Sequence, residues 1–350
     1  MQKAKIVLCG GGTAGHIMPH LALIDGLRKI FDEIHYIGSV GGMEKTLMSN
    51  VPGVIYHEII CAKLRRSLSL KNLVIPIKLT QGFIQARKLL RKIKPNVIFS
   101  KGGYASVPVV WAAPKDCKVF IHESDMSLGL ANKICQPKAR NVLLTFDNLN
   151  IKKGIYTGMP LRHQIYYGNK QKIFEQYNIG KRKILLVMGG SQGSKMINQT
   201  LRQVLDKLIL KYDIIHITGK GNLDNRYNNQ GYYQLEFCDN IYDIYAASDI
   251  VVSRAGSTAI SELAALNKPM LLIPLPKKQS RGDQIQNAQY FSEQGIAKVL
   301  LQENLTPQSL YDNILSLDEN KHQYVQKMQK IKYPDGRLKV LQILSDAIKN

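Results

Sequence analysis

The sequence has little that marks a membrane-spanning, secreted or metal-binding protein. It contains no run of about 18 apolar residues, which argues against a transmembrane helix. Its five cysteines are scattered and form no Cys-x-x-Cys pair, so they predict neither a disulfide framework nor a zinc site. The chain starts MQKAKIVLC, without the apolar region of a signal peptide, and we expect a protein made for the cytosol.

Acidic residues are also scarce. The chain has 48 Lys and Arg against 26 Asp and Glu, a net charge of +22. No Asp or Glu occurs from Ile59 to Lys115, a stretch with twelve basic residues that include Lys101. Such a surface attracts polyanions. A solvated basic face is the simpler alternative, but the complete absence of acids favours an anionic membrane or a phosphorylated substrate. Because no nucleic-acid-binding motif is recognisable, we predict no nucleic-acid partner.

The 350 residues are enough for about two domains, and predicted strands and helices alternate along them. Apolar runs such as KIVLC and KILLVM lack polar alternation, which is typical of parallel strands covered on both faces. Because the pattern restarts at KILLVM, we predict an α/β fold of two Rossmann-like, doubly wound domains. We place an N-terminal domain at 1–158, a second domain at 159–335 and a returning C-terminal helix at 336–350. Tandem domains of this kind bind ligands in a cleft at their strand ends.

Three glycine-rich loops each follow a predicted strand and precede a predicted helix: Gly10–Gly15, Gly189–Ser194 and Ser253–Thr258. Glycines allow close backbone approach, and a helix N-terminus offers free N–H groups to a phosphate. The first loop formally matches the dinucleotide fingerprint Gly-x-Gly-x-x-Gly. That fingerprint also requires an acid at the end of the second strand, but this strand ends with Ile37-Gly38-Ser39. The loops therefore favour an anion cradle, and a dehydrogenase is the weaker alternative.

Polar side chains accompany these loops. His16 directly follows the first loop and can exchange a proton near neutral pH, although a structural histidine is the alternative. Glu262 lies four residues past Thr258, where it can accept hydrogen bonds from a sugar diol or simply complement a helix dipole. The segment 283–287 offers amides for hydroxyl recognition, or is a polar helix start. The chain has no Asp-x-Asp pair, so we expect helix N-termini and arginine, not a metal ion, to stabilise a leaving diphosphate.

Seven motifs in order resemble the MurG family of bacterial peptidoglycan glycosyltransferases. They are GGGTAGHIMP, SKGGYASVP, HESDMSLGLANK, GMPLR, GGSQGS, SRAGSTAISEL and RGDQIQNA. The resemblance covers essentially the whole chain. It implies a GT-B fold that uses no metal or cofactor and transfers N-acetylglucosamine (GlcNAc), with inversion, from UDP-GlcNAc to the C4 hydroxyl of N-acetylmuramic acid (MurNAc) in lipid I, which gives lipid II. It further implies a peripheral protein at the cytoplasmic face of the cell membrane, with a part in cell shape and division. A diacylglycerol galactosyltransferase or a UDP-sugar epimerase is the alternative within this fold.

The resemblance also implies a donor site, formed mainly by the second domain. Its members there are Arg162 and Ser191 for the diphosphate, Cys238 for the uracil edge, Ala255, Gly256, Ser257 and Thr258 as a second diphosphate loop, Glu262 for the ribose and Gln284 for the GlcNAc hydroxyls. The first domain adds three residues near the transferred sugar, Thr13, Ala14 and Gly15.

For the acceptor, the resemblance implies a loop at Gly102, Gly103 and Tyr104 that faces the diphosphate of lipid I. It makes His16 a candidate for the general base or for acceptor positioning. Many family members have Asn where this chain has Asp125. An acid there can itself serve as the base, so His16 and Asp125 both remain candidates.

A helix predicted over 72–94 carries two apolar stripes. One consists of Ile75, Leu79 and Phe83, and the other of Leu73, Ile77 and Ile84. Because lipid I is anchored in the membrane and the helix is basic, we assign the first stripe, together with Trp111, to contact with an anionic membrane surface. A core position for both stripes is the alternative.

Overall fold

The structure is a computed structural model that describes residues 3–62, 75–180, 182–190 and 192–349. The chain divides into two compact units. The first consists of Met1–Arg162 together with Asp335–Asn350, and the second of His163–Pro334. The chain therefore leaves the first unit after Arg162, slightly beyond the boundary that we place at 158, and returns to it after Pro334.

Within the described residues, the first unit contains a seven-stranded parallel sheet in the order β3-β2-β1-β4-β5-β6-β7. The sequence order reverses between β1 and β4, which makes the carboxyl end of this pair the topological switch point, where open α/β sheets bind ligands. The strands are β1 Lys5–Cys9, β2 Glu33–Ser39, β3 Val54–Ile59, β4 Val97–Ser100, β5 Lys118–Glu123, β6 Asn141–Leu144 and β7 Gly154–Tyr156.

Helices cover both faces of this sheet. One face packs against α1, through Ile17 and Leu23. The other face packs against α3, α4 and α5, through Ala86, Val109 and Cys135. The helices are α1 Ala14–Leu27, α2 Met43–Met48, α3 Ile75–Ile93, α4 Ser106–Trp111 and α5 Leu130–Cys135.

The second unit repeats this plan with a six-stranded parallel sheet in the described residues, in the order β10-β9-β8-β11-β12-β13. Its switch point lies between β8 and β11. The strands are β8 Lys183–Met188, β9 Tyr212–Ile217, β10 Tyr232–Leu235, β11 Ile250–Ser253, β12 Met270–Leu272 and β13 Lys298–Val299. The helices are α6 Lys170–Gln176, α7 Lys195–Gln203, α8 Leu205–Leu208, α9 Ile241–Ala247, α10 Ser257–Ala265, α11 Asp283–Glu293, α12 Pro307–Glu319 and α13 Lys321–Ile331.

The last helix, α14 Gly336–Lys349, belongs to the first unit. Its Val340 and Leu344 are fully buried in the same core cluster as α1. The Nζ of Lys118 on β5 donates a hydrogen bond to the Ala347 carbonyl at 2.6 Å. The end of the chain therefore completes the core that its beginning starts.

The predicted class of two doubly wound parallel α/β sheets is confirmed. Among the described residues, no helix has the length and apolar character needed to cross a bilayer.

Candidate active site

Two glycine loops meet at the switch point of the first sheet. Gly10–Gly15 follows β1, and Gly102–Tyr104 follows β4. Gly103 has a φ of 79°, and a Cβ there would overlap the Gly11 carbonyl, so this packing requires glycine. The Tyr104 ring packs on Gly12, and its hydroxyl lies 3.1 Å from Ser39 Oγ. The structure thus brings the predicted sugar loop and the predicted acceptor loop together.

The two candidate bases follow strands at this edge. His16 lies in the first turn of α1, partly buried, with its Nδ1 3.0 Å from the Oγ1 of Thr13 at the N-cap position. Asp125 lies in the turn after β5. Its N–H donates to the buried carboxylate of Glu123 at 3.1 Å, and the N–H of Gly129 donates to the same carboxylate at 2.8 Å. Glu123 therefore holds the backbone of the turn that presents Asp125.

A buried polar layer lies beneath these loops. Lys101 Nζ donates to His122 Nδ1 at 2.6 Å and to Ser124 Oγ at 2.7 Å, and His122 Nε2 lies 3.2 Å from the Gly158 carbonyl. Burial lowers the pKa of Lys101 to about 7, although the carboxylates of Glu123 and Asp125 oppose that shift. Counting Lys101 with the basic surface was therefore wrong, because its side chain is 1% exposed.

The second unit places two further glycine loops at its own switch point. The Gly189–Ser194 loop follows β8, and Ser194 caps α7 by accepting a hydrogen bond from the Ile197 N–H at 3.4 Å. Gly193 has a φ of 72° and packs so closely on the Thr218 carbonyl that a Cβ would overlap it. Ser191, predicted to contact the diphosphate, lies outside the described residues.

Arg254 joins this loop to its neighbours, a role that the sequence analysis missed. Its guanidinium donates to Ser194 Oγ at 2.7 Å and to the Ile273 and Pro274 carbonyls at 3.0 and 3.3 Å. Burial lowers its pKa to about 10, so it stays charged at neutral pH. The sequence signal that could have indicated this role is the position of the arginine between an apolar strand and a glycine turn. It fixes the loops after β8, β11 and β12 relative to one another.

The predicted diphosphate loop Ala255–Thr258 surrounds the N-terminus of α10. Ala255 is buried, Gly256 occupies the N-cap position, and Ser257 begins the helix. The Thr258 Oγ1 is buried and, among the described residues, has no hydrogen-bond partner. This hydroxyl is thus available to a ligand.

Three other predicted donor residues also lie in the second unit. Glu262, on α10, is 4% exposed and accepts a hydrogen bond from Tyr245 at 3.4 Å, so it is not a surface carboxylate. Gln284 Oε1 accepts from the Leu275 N–H at 3.1 Å, which leaves the amide nitrogen for a ligand. Cys238 is half-buried between β10 and α9, and burial raises its pKa.

Arg162 does not lie in the second unit. It is partly buried, at the point where the chain leaves the first unit. Thr13 and Gly15 also belong to the first unit. The described residues contain no group of three His, Cys, Asp or Glu side chains suited to a metal ion.

The stripe assigned to the membrane needs correction. Phe83 packs against the core, and Ile75 and Leu79 are half-buried on the same side of α3. The outward stripe contains Ile77 and Ile84, which are 59% and 60% exposed. Core packing of Phe83 with the buried positions Gly82, Ala86 and Leu90 turns that side of the helix inward. Trp111 on α4 is half-exposed, and its indole N–H donates to the Ile134 carbonyl at 3.1 Å.

Comparison with known proteins agrees with this architecture. The Glycosyltransferase family 28 N-terminal domain matches residues 6–144, and the Glycosyltransferase family 28 C-terminal domain matches residues 184–340. The crystal structure of Acinetobacter baumannii MurG superimposes with a TM-score of 0.78 at 22% identity, over 98% of this chain and 99% of that one. CalG4, the calicheamicin glycosyltransferase, superimposes with a TM-score of 0.73 at 13% identity, over 100% and 99% of the two chains. These likenesses confirm the glycosyltransferase fold.

Sequence similarity is closer to two curated relatives of one name, UDP-N-acetylglucosamine--N-acetylmuramyl-(pentapeptide) pyrophosphoryl-undecaprenol N-acetylglucosamine transferase. The protein from Clostridium botulinum (strain Alaska E43 / Type E3) is 44% identical over 100% of this chain and 99% of its own. The protein from Lachnospira eligens is 43% identical over 98% of this chain and 99% of its own. Full-length identity at this level, together with the matched domains, shows that the chain belongs to the MurG family of glycosyltransferases.

Proposed function

We propose that this enzyme transfers GlcNAc from UDP-GlcNAc to the C4 hydroxyl of MurNAc in lipid I, the undecaprenyl-pyrophosphoryl acceptor, and so makes lipid II for peptidoglycan synthesis. The observation that carries this proposal is 44% identity, over the whole chain, to a transferase named for this donor and this acceptor. The glycine loops at the switch points of both sheets are the physical counterpart, since each is suited to an anionic substrate.

In this proposal the second unit binds the donor. The N–H groups at the start of α10 and the Gly189–Ser194 loop face the diphosphate, and Arg254 adds a fixed positive charge behind both. Glu262 accepts hydrogen bonds from the ribose, and Gln284 contacts the GlcNAc hydroxyls. We also place Ser191 near the phosphates and Cys238 near the uracil. Arg162, from the first unit, completes the proposed set near the phosphates. Preorganised amides that meet a developing negative charge lower the barrier without solvent reorganisation.

The reaction is a single displacement. The C4 oxygen of MurNAc forms a bond to the anomeric carbon of GlcNAc, while the bond from that carbon to the diphosphate oxygen breaks and UDP leaves with the electron pair. The hydroxyl proton passes to His16 or Asp125. The first unit holds the acceptor, with Gly102, Gly103 and Tyr104 near its diphosphate and with Thr13, Ala14 and Gly15 near the transferred sugar.

Product analysis tests the proposal. The purified chain is incubated with UDP-GlcNAc and lipid I in the presence of EDTA, and the lipid fraction is analysed by mass spectrometry. We expect UDP and an acceptor heavier by one GlcNAc residue. Transfer to diacylglycerol instead, or epimerisation of the UDP-sugar without transfer, contradicts the proposal. Activity that EDTA abolishes and magnesium restores contradicts the role given to the loop amides.

We further propose that the first unit contacts an anionic membrane at its α3–α5 side. The exposed face of α3 continues from Ile77 and Ile84 to Lys88 and Arg91, so an apolar part is followed by a basic one. Exposed Trp111, Leu130 and Ile134 lie on the neighbouring helices α4 and α5. Apolar side chains that enter the interface, next to basic residues, favour binding to anionic lipid. In this proposal the enzyme is peripheral and meets its polyprenyl-anchored substrate at the cytoplasmic face of the cell membrane.

A further inference from the structure

Lys101 occupies a special position in the first unit. It directly follows β4, the middle strand of the seven-stranded sheet, and so lies at the topological switch point. Its N–H donates to the Cys9 carbonyl at the end of β1 at 2.9 Å, while its side chain reaches the end of β5. Lys101 thus lies below the Gly10–Gly15 loop, the Gly102–Tyr104 loop and the turn that bears Asp125.

The ammonium of Lys101 is buried without an anion at hydrogen-bond distance in the described residues. Its two partners, His122 Nδ1 and Ser124 Oγ, are neutral acceptors. Glu123 is close in space, but its carboxylate accepts four hydrogen bonds from other groups, the N–H groups of Ser124, Asp125 and Gly129 and the amide of Asn132. A buried charge that lacks close compensation is costly, and such groups concentrate at functional sites.

Burial brings the pKa of Lys101 near neutrality, and several titratable groups face its side chain. Burial lowers the pKa of His20 on α1 to about 3 and lowers that of His122 well below its usual value. Burial raises the pKa of Cys9 on β1 to about 12. These three groups are therefore uncharged at pH 7. The carboxylates of Glu123, at the end of β5, and of Asp125, in the turn after it, act on Lys101 electrostatically.

We propose that Lys101 is a positioning residue for the acceptor: its buried amine takes up a proton as the anion binds, and the ammonium so formed holds the diphosphate at the glycine loops of this switch point. This inference rests on the proposed function, which supplies a diphosphate to the first unit. A dianion near the ammonium stabilises the protonated form, and by linkage the protonated form binds the dianion more tightly. The diphosphate in lipid I is a diester that does not itself titrate near pH 7.

The first test is the pH dependence of the acceptor KM, measured at saturating UDP-GlcNAc. As pH rises through the pKa of Lys101, the ammonium is lost and affinity falls, so we expect the wild-type KM to rise about tenfold between pH 6.5 and 8.5. In Lys101→Met, of similar length but uncharged, we expect a raised KM at pH 6.5 that changes less than about twofold over the same range. The donor KM stays within about twofold of wild type in both enzymes.

Ser124→Ala is the matched control, because it removes one hydrogen-bond partner of Lys101 and keeps the ammonium. If Lys101 only held the turn after β5, Ser124→Ala and Lys101→Met would have similar effects. We expect Ser124→Ala to retain the pH-dependent acceptor KM. The inference is overturned if the wild-type KM does not change with pH, or if Lys101→Met shows the same rise as the wild type.

A second measurement keeps the inference testable if Lys101→Met does not fold. Calorimetry of acceptor binding to the wild type, without donor, at pH 7.5 in two buffers of different ionisation enthalpy reports proton uptake. We expect uptake of about half a proton or more per acceptor bound, and zero uptake overturns the inference. Wild-type enzyme that transfers no GlcNAc at any pH rejects the proposed function, whereas transfer without proton linkage rejects only the role of Lys101.

Discussion

At the scale of single residues, the open question of chemistry is which group takes the acceptor proton. A general base acts only when deprotonated, so the rate falls as pH decreases through its pKa. We expect one of His16→Ala and Asp125→Asn to lose about 10²–10⁴-fold in kcat and the acidic limb of its pH–rate profile. The other variant keeps that limb. Retention of the limb in both variants would show that neither residue is the base.

Glu262 is the residue on which donor affinity should depend most directly. Its buried carboxylate is proposed to accept hydrogen bonds from the ribose, and such charged hydrogen bonds contribute about 1.5–3 kcal/mol. We expect Glu262→Gln to raise the KM for UDP-GlcNAc by about 10- to 100-fold and to leave the acceptor KM nearly unchanged. The control is Glu303→Gln, at an exposed glutamate of the same unit. A donor KM equal to that of the control would refute the ribose contact.

His216 makes the second unit sensitive to acid. Its ring lies between Tyr232 and Asn198, at 2.6 and 3.0 Å, and burial lowers its pKa to about 3. The folded state keeps His216 neutral, while the unfolded state binds a proton below about pH 6.5. Stability is therefore lost as pH falls from 6.5 toward 3, by at most about 1.4 kcal/mol per pH unit for this one site.

The variant His216→Gln should be less stable than the wild type at pH 7, with a difference that narrows as pH is lowered to 4. Urea unfolding at each pH measures that difference. The control is His322→Gln, at an exposed histidine, which should change the free energy of unfolding at pH 7 by less than about 0.5 kcal/mol. If the difference in the free energy of unfolding between His216→Gln and the wild type stays constant with pH, the lowered pKa of His216 is contradicted.

The glycine loops of the candidate site could be predicted from the sequence, whereas its buried charged side chains could not. Glycine and serine after an apolar strand have few structural uses besides a tight turn, so the loops around Gly11 and Gly193 could be predicted. Lys101 resembles any surface lysine in sequence, because lysine is almost never fully buried. Only the fold reveals that the end of β4 lies in the middle of a sheet. The role of Arg254 was not predicted for the same reason, since its burial is visible only in the fold.

At the scale of elements, the exposed stripe of α3, Ile77 and Ile84, is the part to test for membrane contact. We expect Ile77→Ser with Ile84→Ser to reduce the fraction of enzyme that floats with liposomes of anionic lipid by at least about fivefold, because two apolar side chains leave the interface. Leu210→Ser removes a more exposed leucine from the second unit and should float like the wild type. If liposome binding does not change with these substitutions, with salt or with the content of anionic lipid, this surface is not the membrane contact.

Hydrophobic periodicity predicts some features of the helices and not others. Spacing predicts α3 and its two stripes, yet both stripes are apolar, so the choice between core and surface depended on the partner helices α4 and α5. For α1, the glycine loop was predicted to extend to Gly15, whereas the helix begins at Ala14 and includes Pro19. Proline is disfavoured in a helix interior, so the sequence alone does not predict a helix that continues through Pro19.

At the scale of the whole molecule, α14 should matter for stability although it contributes no site residue. Leu344 is fully buried against the core of the first unit. We expect Leu344→Ala to lower the free energy of unfolding by about 2–5 kcal/mol, the usual range for a buried leucine. Leu338→Ala, on the same helix but 70% exposed, should change it by less than about 0.5 kcal/mol. Equal effects of the two variants in denaturant unfolding would contradict this packing.

The return of α14 also sets an order of events during synthesis on the ribosome. The second unit is one continuous segment, His163–Pro334, and can close its core once that segment has emerged. The first unit starts before this segment but lacks α14 until the whole second unit has been translated. The unit that starts first is therefore completed last, and one apolar face of its nascent sheet stays incompletely covered while the second unit is made, which exposes it to aggregation.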